Sequence, residues 1–305
     1  MNASLSHRAM LARISVAGID FRKLDKRVSA EVNTSKGAAA NASRTNKLLI
    51  ESPLLAEIKK VEGEIRAKHR FLTLPWQDDG YRMLPASAFN LYRTEINILI
   101  RKFEAAVSAF VAVYPDLIEE SKQRLGEMFD YADFPHQKTI AKRFNVACGT
   151  MPLPEGKDFR VDLGDEQVAA IRGEIEGQAE AALAKASKDL WGRLHGVIAR
   201  MSERLGAFRV NDEGKQENGF KNSLVSNIEE LVAILPALNI TNDPVLTDLT
   251  NRARAELCLH DAPVLKQNDR LREKVKASAD DILSALVAYT GFDPAEASDE
   301  QEEAA

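Results

Sequence analysis

Asp78 and Asp79 sit beside Trp76, Tyr81 and Arg82 in a short segment bounded by Pro75 and Pro85. Adjacent carboxylates in an aromatic loop are the residue types of an acid/base pair, one protonated while the other stays ionised. The same residues suit a simpler task. Asp79-Gly80 is a turn dipeptide, and the aromatics would pin the loop onto its neighbours. The turn is the preferred reading, and no catalytic residue is assigned.

Other chemistries find less. His7, His69, His136, His195 and His260 are scattered, and none has a His or Cys partner at metal-ligand spacing. Cys148 and Cys258 lie far apart, without a Cys-x-x-Cys pair, and read as small buried thiols of a reducing compartment. Neither Gly-x-x-x-x-Gly-Lys-Ser/Thr nor Gly-x-Gly-x-x-Gly occurs, so no cofactor is expected. No local motif assembles a Ser-His-Asp or Cys-His nucleophile. Of Asp158, Asp162 and Asp165, the last is best explained as a helix N-cap.

One cationic cluster remains. Lys59, Lys60, Arg66, Lys68 and Arg70 precede Phe71, Trp76 and Tyr81. Single-stranded nucleic acid is held by cations on its backbone and aromatics on its bases, so Lys59, Lys60, Arg66, Lys68, Arg70, Trp76 and Tyr81 are candidate contacts. Glu57, Glu62 and Glu64 interleave with them, however, which is the pattern of a solvated helix face.

Charge is unevenly spread. Residues 1–70 hold 14 Lys and Arg against 7 Asp and Glu, while Phe292–Ala305 carries six carboxylates and no cation. The tail is poor in apolar residues and self-repelling, and is expected to be disordered. The asymmetry serves solubility, or sets a basic end in contact with nucleic acid against a competing acidic end. No apolar run approaches the ~20 residues of a membrane span. No secretory signal is seen at the start, so a cytoplasmic address is expected.

The elements that must position these residues are mostly helical. Ile14–Ile19 and Val28–Val32 alternate as strands do, joined by the charged stretch 20–27, and Thr34–Asn46 reads as a loop. Ser52-Pro53 opens a helix whose stripe is Leu54, Ile58, Val61, Ile65 and His69. A second helix, 86–114, carries Phe89, Tyr92, Ile96, Leu99, Phe103, Val107, Phe110 and Tyr114. Pro115-Asp116 is expected to start a third, ending near Asp130. Phe144–Cys148 and Phe159–Leu163 alternate again, and are candidates to join the first strands in a small sheet.

Asp165 begins the longest pattern: Val168, Ile171, Ile175, Ala179, Ala182, Ala186, Leu190, Leu194, Val197, Met201 and Leu205. Its spacing is nearer an eleven-residue repeat than a heptad, so it implies a nearly straight helix pair. The alanines allow close approach of a partner helix. After a polar loop, 211–222, Ser223 caps a helix that Pro236 ends. Asp243-Pro244 opens the next, and a last helix follows 260–263 and stops at Gly291.

The fold expected is α+β, predominantly α: an elongated bundle of long antiparallel helices with a small antiparallel sheet. Its divisions are a basic strand region (1–50), a core of long helices with a short β insertion near 140–163 (51–210), a helical region (211–291) and an acidic tail (292–305).

The motifs Thr73-Leu74-Pro75-Trp76, Leu84-Pro85-Ala86, Phe103–Val107, Tyr114-Pro115-Asp116-Leu117, Phe159–Asp162 and Asp189-Leu190-Trp191 occur in that order. Over roughly 35–205 the chain resembles a bacteriophage and plasmid family of unknown function. Members are often encoded beside a MoxR-type AAA+ ATPase and a von Willebrand A-type protein. The resemblance implies a phage-associated accessory role, with such an ATPase as a partner, and supplies no catalytic residue. Three functions follow in order: a non-enzymatic, oligomeric helical assembly or adaptor protein; a DNA-binding replication or recombination accessory protein using the basic first 70 residues; and an enzyme centred on Asp78 and Asp79.

Overall fold

A computed structural model describes residues 5–76, 80–159, 161, 164–210 and 216–291. Among them the order is α1 (Leu5–Arg8), β1 (Ala9–Ala17), β2 (Arg22–Leu24), α2 (Lys26–Ser35), β3 (Asn46–Leu48), α3 (Pro53–Phe71), β4 (Leu74–Pro75) and β5 (Arg82–Pro85). There follow α4 (Phe89–Leu125), α5 (Gln137–Ile140), β6 (Asn145–Pro152) and α6 (Asp165–Ala207). The chain continues with β7 (Arg209–Val210), β8 (Gln216–Glu217), α7 (Ser223–Leu238), α8 (Pro244–Leu257), α9 (Ala262–Gln267) and α10 (Asp269–Thr290). The protein is predominantly α, with a small antiparallel sheet of order β4-β5-β1-β6. Ala9 faces Pro85 and Ala12 faces Arg82 in its central pair. The acidic tail lies outside the described residues.

Contacts group the chain into two units built from interleaved segments. One comprises 1–12, 72–90 and 150–305; the other comprises 13–71 and 91–149.

The second unit is organised by α3 and α4. Ser52 caps α3 as its sequence implies, its hydroxyl accepting from the Leu54 amide at 3.2 Å. Ile58, Val61, Ile65 and His69 are buried with Leu55; Leu54, placed on the stripe from sequence, is only half-buried. Leu55, Ile58, Val61 and Ile65 meet Phe103, Val107, Phe110 and Tyr114 in one apolar cluster. The Phe110 ring lies 5.7 Å from Phe21, 5.7 Å from Tyr114 and 5.8 Å from Phe144. Pro115 does not start a new helix; α4 runs through it for 37 residues. An internal proline costs roughly 3 kcal/mol. Burial of the same face on both sides, from Tyr92 to Leu125, offsets that cost.

Val28–Val32 is helix, not strand. Asp25 caps α2 by accepting from the Val28 amide, and the buried side chains are the polar pair Ser29 and Asn33, four residues apart. Ser29 accepts from the Thr45 amide, and Asn33 binds Ala40 O and Ser43. The face that matters holds a loop by hydrogen bonds, so the alternation of valines was the wrong signal. The strand partner of β3 is instead β2, inside the charged stretch read as a connection.

In the first unit α6 runs antiparallel to α10. Trp191 meets Tyr289 at 5.5 Å, and Ser202 near the other end hydrogen-bonds Asp280. The helices α7 and α8 pack with them. Pro236 lies inside α7 rather than ending it. A proline frees the carbonyl four residues earlier, here Val232 O, and the Arg254 guanidinium donates to it at 2.5 Å. Asp243 caps α8 through the Val245 and Leu246 amides, as its sequence implies. Gly291 ends α10 with φ +60°. The last helix is interrupted: Asn268 stops α9 and caps α10. Arg209–Val210 pairs antiparallel with Gln216–Glu217, so the stretch 211–222 read as a loop contains a short strand; residues 211–215 lie outside the described residues.

Phe159 and Val161 are not in a strand, and Arg160, Asp162 and Leu163 lie outside the described residues. Asp165 is the first residue of α6 and not its cap, a place taken by Gly164. Its carboxylate suits the positive end of the helix dipole instead.

Candidate functional site

The conspicuous aromatic segment is a hairpin. Leu74 pairs with Met83 and Pro75 with Arg82. Arg82 donates to the Thr73 hydroxyl at 2.8 Å, and Arg193 of α6 donates to Thr73 O at 2.8 Å. These bonds hold the hairpin on α6. Trp76 is 6% exposed, so its ring offers no face to a base; Tyr81 is half-buried. Asp78 and Asp79 lie outside the described residues.

The basic cluster belongs to α3, in the other unit. Lys59 pairs with Asp20 at 3.8 Å, Lys60 with Glu57 at 3.5 Å, and Lys68 with Glu95 at 3.6 Å. Arg66 pairs with Glu62 at 3.7 Å and donates to Val16 O at 3.2 Å. Arg70, exposed in the last turn, also has a partner. Lys59 and Arg66 line a cleft of about 330 Å³, but Asp20 and Glu62 line it too, leaving it electrically balanced. An already neutralised cation releases few counterions on meeting phosphate. Binding of single-stranded DNA by this face is therefore expected to have a shallow salt dependence, a log–log slope of magnitude about 2 or less. Anisotropy across a salt titration checks this, and a slope near −4 would restore the nucleic-acid reading.

Among the described residues no three His, Cys, Asp or Glu side chains are grouped to hold a metal. His69 is buried and shares a 2.9 Å hydrogen bond with the Tyr92 hydroxyl. Burial raises the Tyr92 phenol, with a further push from Cys148. The cysteines are not the buried pair expected. Cys148 is exposed and Cys258 half-buried. The helix that carries Cys258 ends there, and β6 turns Cys148 outward. Burial of the sulfur pushes the Cys258 thiol up to about 11. Burial raises the Cys148 thiol as well, but Cys148 is the more exposed of the two, so a maleimide is expected to label Cys148 first. Mass mapping of a timed reaction checks the order.

The feature that the described residues only partly cover is the amino-terminal half of α6. Of its 43 residues, the buried ones begin at Ala182. Val168, Ile171, Ile175 and Ala179 continue the stripe but are only half-buried. The chain at 153–159 covers part of them. Gly156 approaches so closely that a β-carbon there would lie 3.1 Å from Arg172 O, and Arg172 reaches Phe159 O. Between this segment and the helix lies a cleft of about 440 Å³. Leu5, Leu153, Pro154, Ile175 and Ala179 form its apolar lining, and Glu155, Glu176 and Glu180 form its rim with Lys157. Lys157 is bound to Glu155 at 2.5 Å. Residues 165–184 contain five carboxylates and one arginine. Gly173 and Gly177, one turn apart and exposed, have nothing within 4 Å of where a β-carbon would stand.

The stripe itself was visible in the sequence. The cleft was not, because it depends on where 153–156 crosses the helix; the proline pair Pro152 and Pro154 was the only local sign of a fixed path.

The fold and this surface define a predominantly helical protein with a half-covered acidic helix. Comparison with family models, curated proteins and solved structures found no match.

Proposed function

We propose that the chain is a non-enzymatic helical adaptor whose partner docks along residues 165–181 of α6. The observation that carries this reading is the stripe Val168, Ile171, Ile175 and Ala179, which continues the buried face of the helix with partial cover only. Apolar surface at helical spacing beside an apolar cleft suits an amphipathic partner helix or an anchor side chain. Charge selects among occupants. Five carboxylates in 165–184 disfavour a second copy laid on the same face and favour a basic segment. The acidic tail is disfavoured for the same reason.

Two glycines support close approach. Each costs about 1 kcal/mol relative to alanine inside a helix, and here no neighbouring side chain exploits the space. Gly173→Ala and Gly177→Ala are each expected to stabilise the protein by up to about 1 kcal/mol while weakening docking. Thermal unfolding and binding measured on the same variants check the two signs.

The family resemblance nominates a MoxR-type AAA+ ATPase as the partner and a phage-associated setting for the assembly. Sedimentation velocity of the full chain with such an ATPase from the same genome tests it. Association weakened at least tenfold by Ile171→Lys with Ile175→Lys supports the reading. No association at tens of micromolar, or association indifferent to both substitutions, contradicts it.

A further inference from the structure

Arg200 and Arg204 stand one turn apart on α6, and Lys221 lies just before α7. They line a cleft of about 410 Å³ with Phe220, Ser223 and Asn227, and no carboxylate lines it among the described residues. All three cations are exposed, and none has an ion-pair or hydrogen-bond partner among the described residues. The contrast with α3 is direct. There Lys59, Lys60, Arg66 and Lys68 are each matched by an acid; here three cations line one concavity without an ion-pair partner among the described residues.

We propose that this cleft binds the phosphoryl group of a phosphomonoester. Two guanidinium groups and an ammonium supply forked and point donors for a tetrahedral dianion. The cleft is several times larger than a phosphate, so it has room for part of the group that carries it. That group is not read by base stacking. Phe220 is buried, packs on Phe208 at 5.4 Å, and is covered by the Lys266 ammonium at 5.4 Å. A nucleic-acid backbone is matched by cations spaced along a groove. Three cations lining one cleft match a terminal dianion better. The start of the 16-residue α7 adds to the field, since Asn222 makes no side-chain cap and Ser223 lines the cleft. The site is separate from the docking surface, roughly 30 Å further along α6 at 1.5 Å per residue.

Calorimetric titration of the full chain with inorganic phosphate, phenyl phosphate and a single-stranded 12-nucleotide DNA without terminal phosphates tests the assignment. Saturable binding of both small phosphates is expected, at least tenfold weaker in Arg200→Gln with Arg204→Gln and unchanged in Lys59→Gln with Lys60→Gln. Circular dichroism of the variants confirms that these exposed substitutions leave the helices intact. Absence of saturable phosphate binding, or binding indifferent to the two arginines, overturns the proposal. Arginine-dependent binding of the DNA tighter than that of phenyl phosphate overturns the monoester in favour of a nucleic-acid backbone.

Discussion

Phe110→Ala is expected to cost about 3–5 kcal/mol of stability, the range for removing a fully buried aromatic ring. Phe110 is 0% exposed and sits among Phe21, Tyr114 and Phe144, with centroid separations of 5.7, 5.7 and 5.8 Å. Truncation removes the ring on which the other three converge. Closing the resulting cavity would require α4 to move, and Tyr114 is held in place by its hydroxyl donating to Pro135 O at 2.9 Å. Such a loss approaches the whole stability of an ordinary domain. Urea unfolding followed by tyrosine fluorescence checks it. A loss below about 1 kcal/mol would mean that the site collapses or was never close-packed.

The second large effect is electrostatic. Asp133→Asn is expected to destabilise by about 2–3 kcal/mol, somewhat below the range for breaking a fully buried pair because one partner is in water. The Asp133 side chain is 6% exposed and meets Lys47, 9% exposed, and Lys23, half-exposed, at 2.5 Å each. Lys47 also donates to Met128 O at 2.7 Å and lies 3.7 Å from Asp25. The amide would leave the Lys47 ammonium buried with only the more distant carboxylate. A loss under about 0.5 kcal/mol would instead class the group with exposed ion pairs.

The same carboxyl sets an acid dependence. Burial pushes the Asp133 carboxyl up, but hydrogen bonds from Lys23 and Lys47 outweigh it and hold it below the ordinary range. The Asp280 carboxyl is lowered as well, chiefly by Lys276 and then by Ser202. A group depressed on folding contributes stability above its unfolded pKa and loses it as pH falls through the folded one. Stability is therefore expected to hold above about pH 5 and to fall below about pH 4, and Asp133→Asn should flatten that fall. Urea midpoints measured between pH 3 and 7 check both.

Helix edges were legible where a local hydrogen bond makes them. Ser52-Pro53, Asp243-Pro244 and Gly291 each mark a boundary through a cap or a left-handed residue that a few neighbours determine. The interior of α6 was legible too, although Ile198 and Trp191, not Val197, complete the buried face. What failed depended on distant contacts. Pro236 does not stop α7, because Arg254 of α8 takes the freed carbonyl. The segments on either side of residues 77–79 form strands of two and four residues, too short for a period to show. The buried face of α2 is polar, so an apolar pattern could not find it. The candidate site divides in the same way. Its apolar stripe is written in α6, whereas the cations of the second cleft, without an ion-pair partner among the described residues, stand out only once Asp20, Glu57, Glu62 and Glu95 are seen to neutralise those of α3.

Hydrogen exchange along α6 tests the adaptor account most directly. In the isolated chain, amides of 165–181 are expected to exchange faster than those of 186–205, because only the latter half carries a buried face. Adding the MoxR-type ATPase should slow 165–181 selectively, and Ile171→Lys with Ile175→Lys should abolish the slowing. Uniformly slow exchange along the whole helix in the isolated chain, or protection by the ATPase that falls elsewhere, would contradict it.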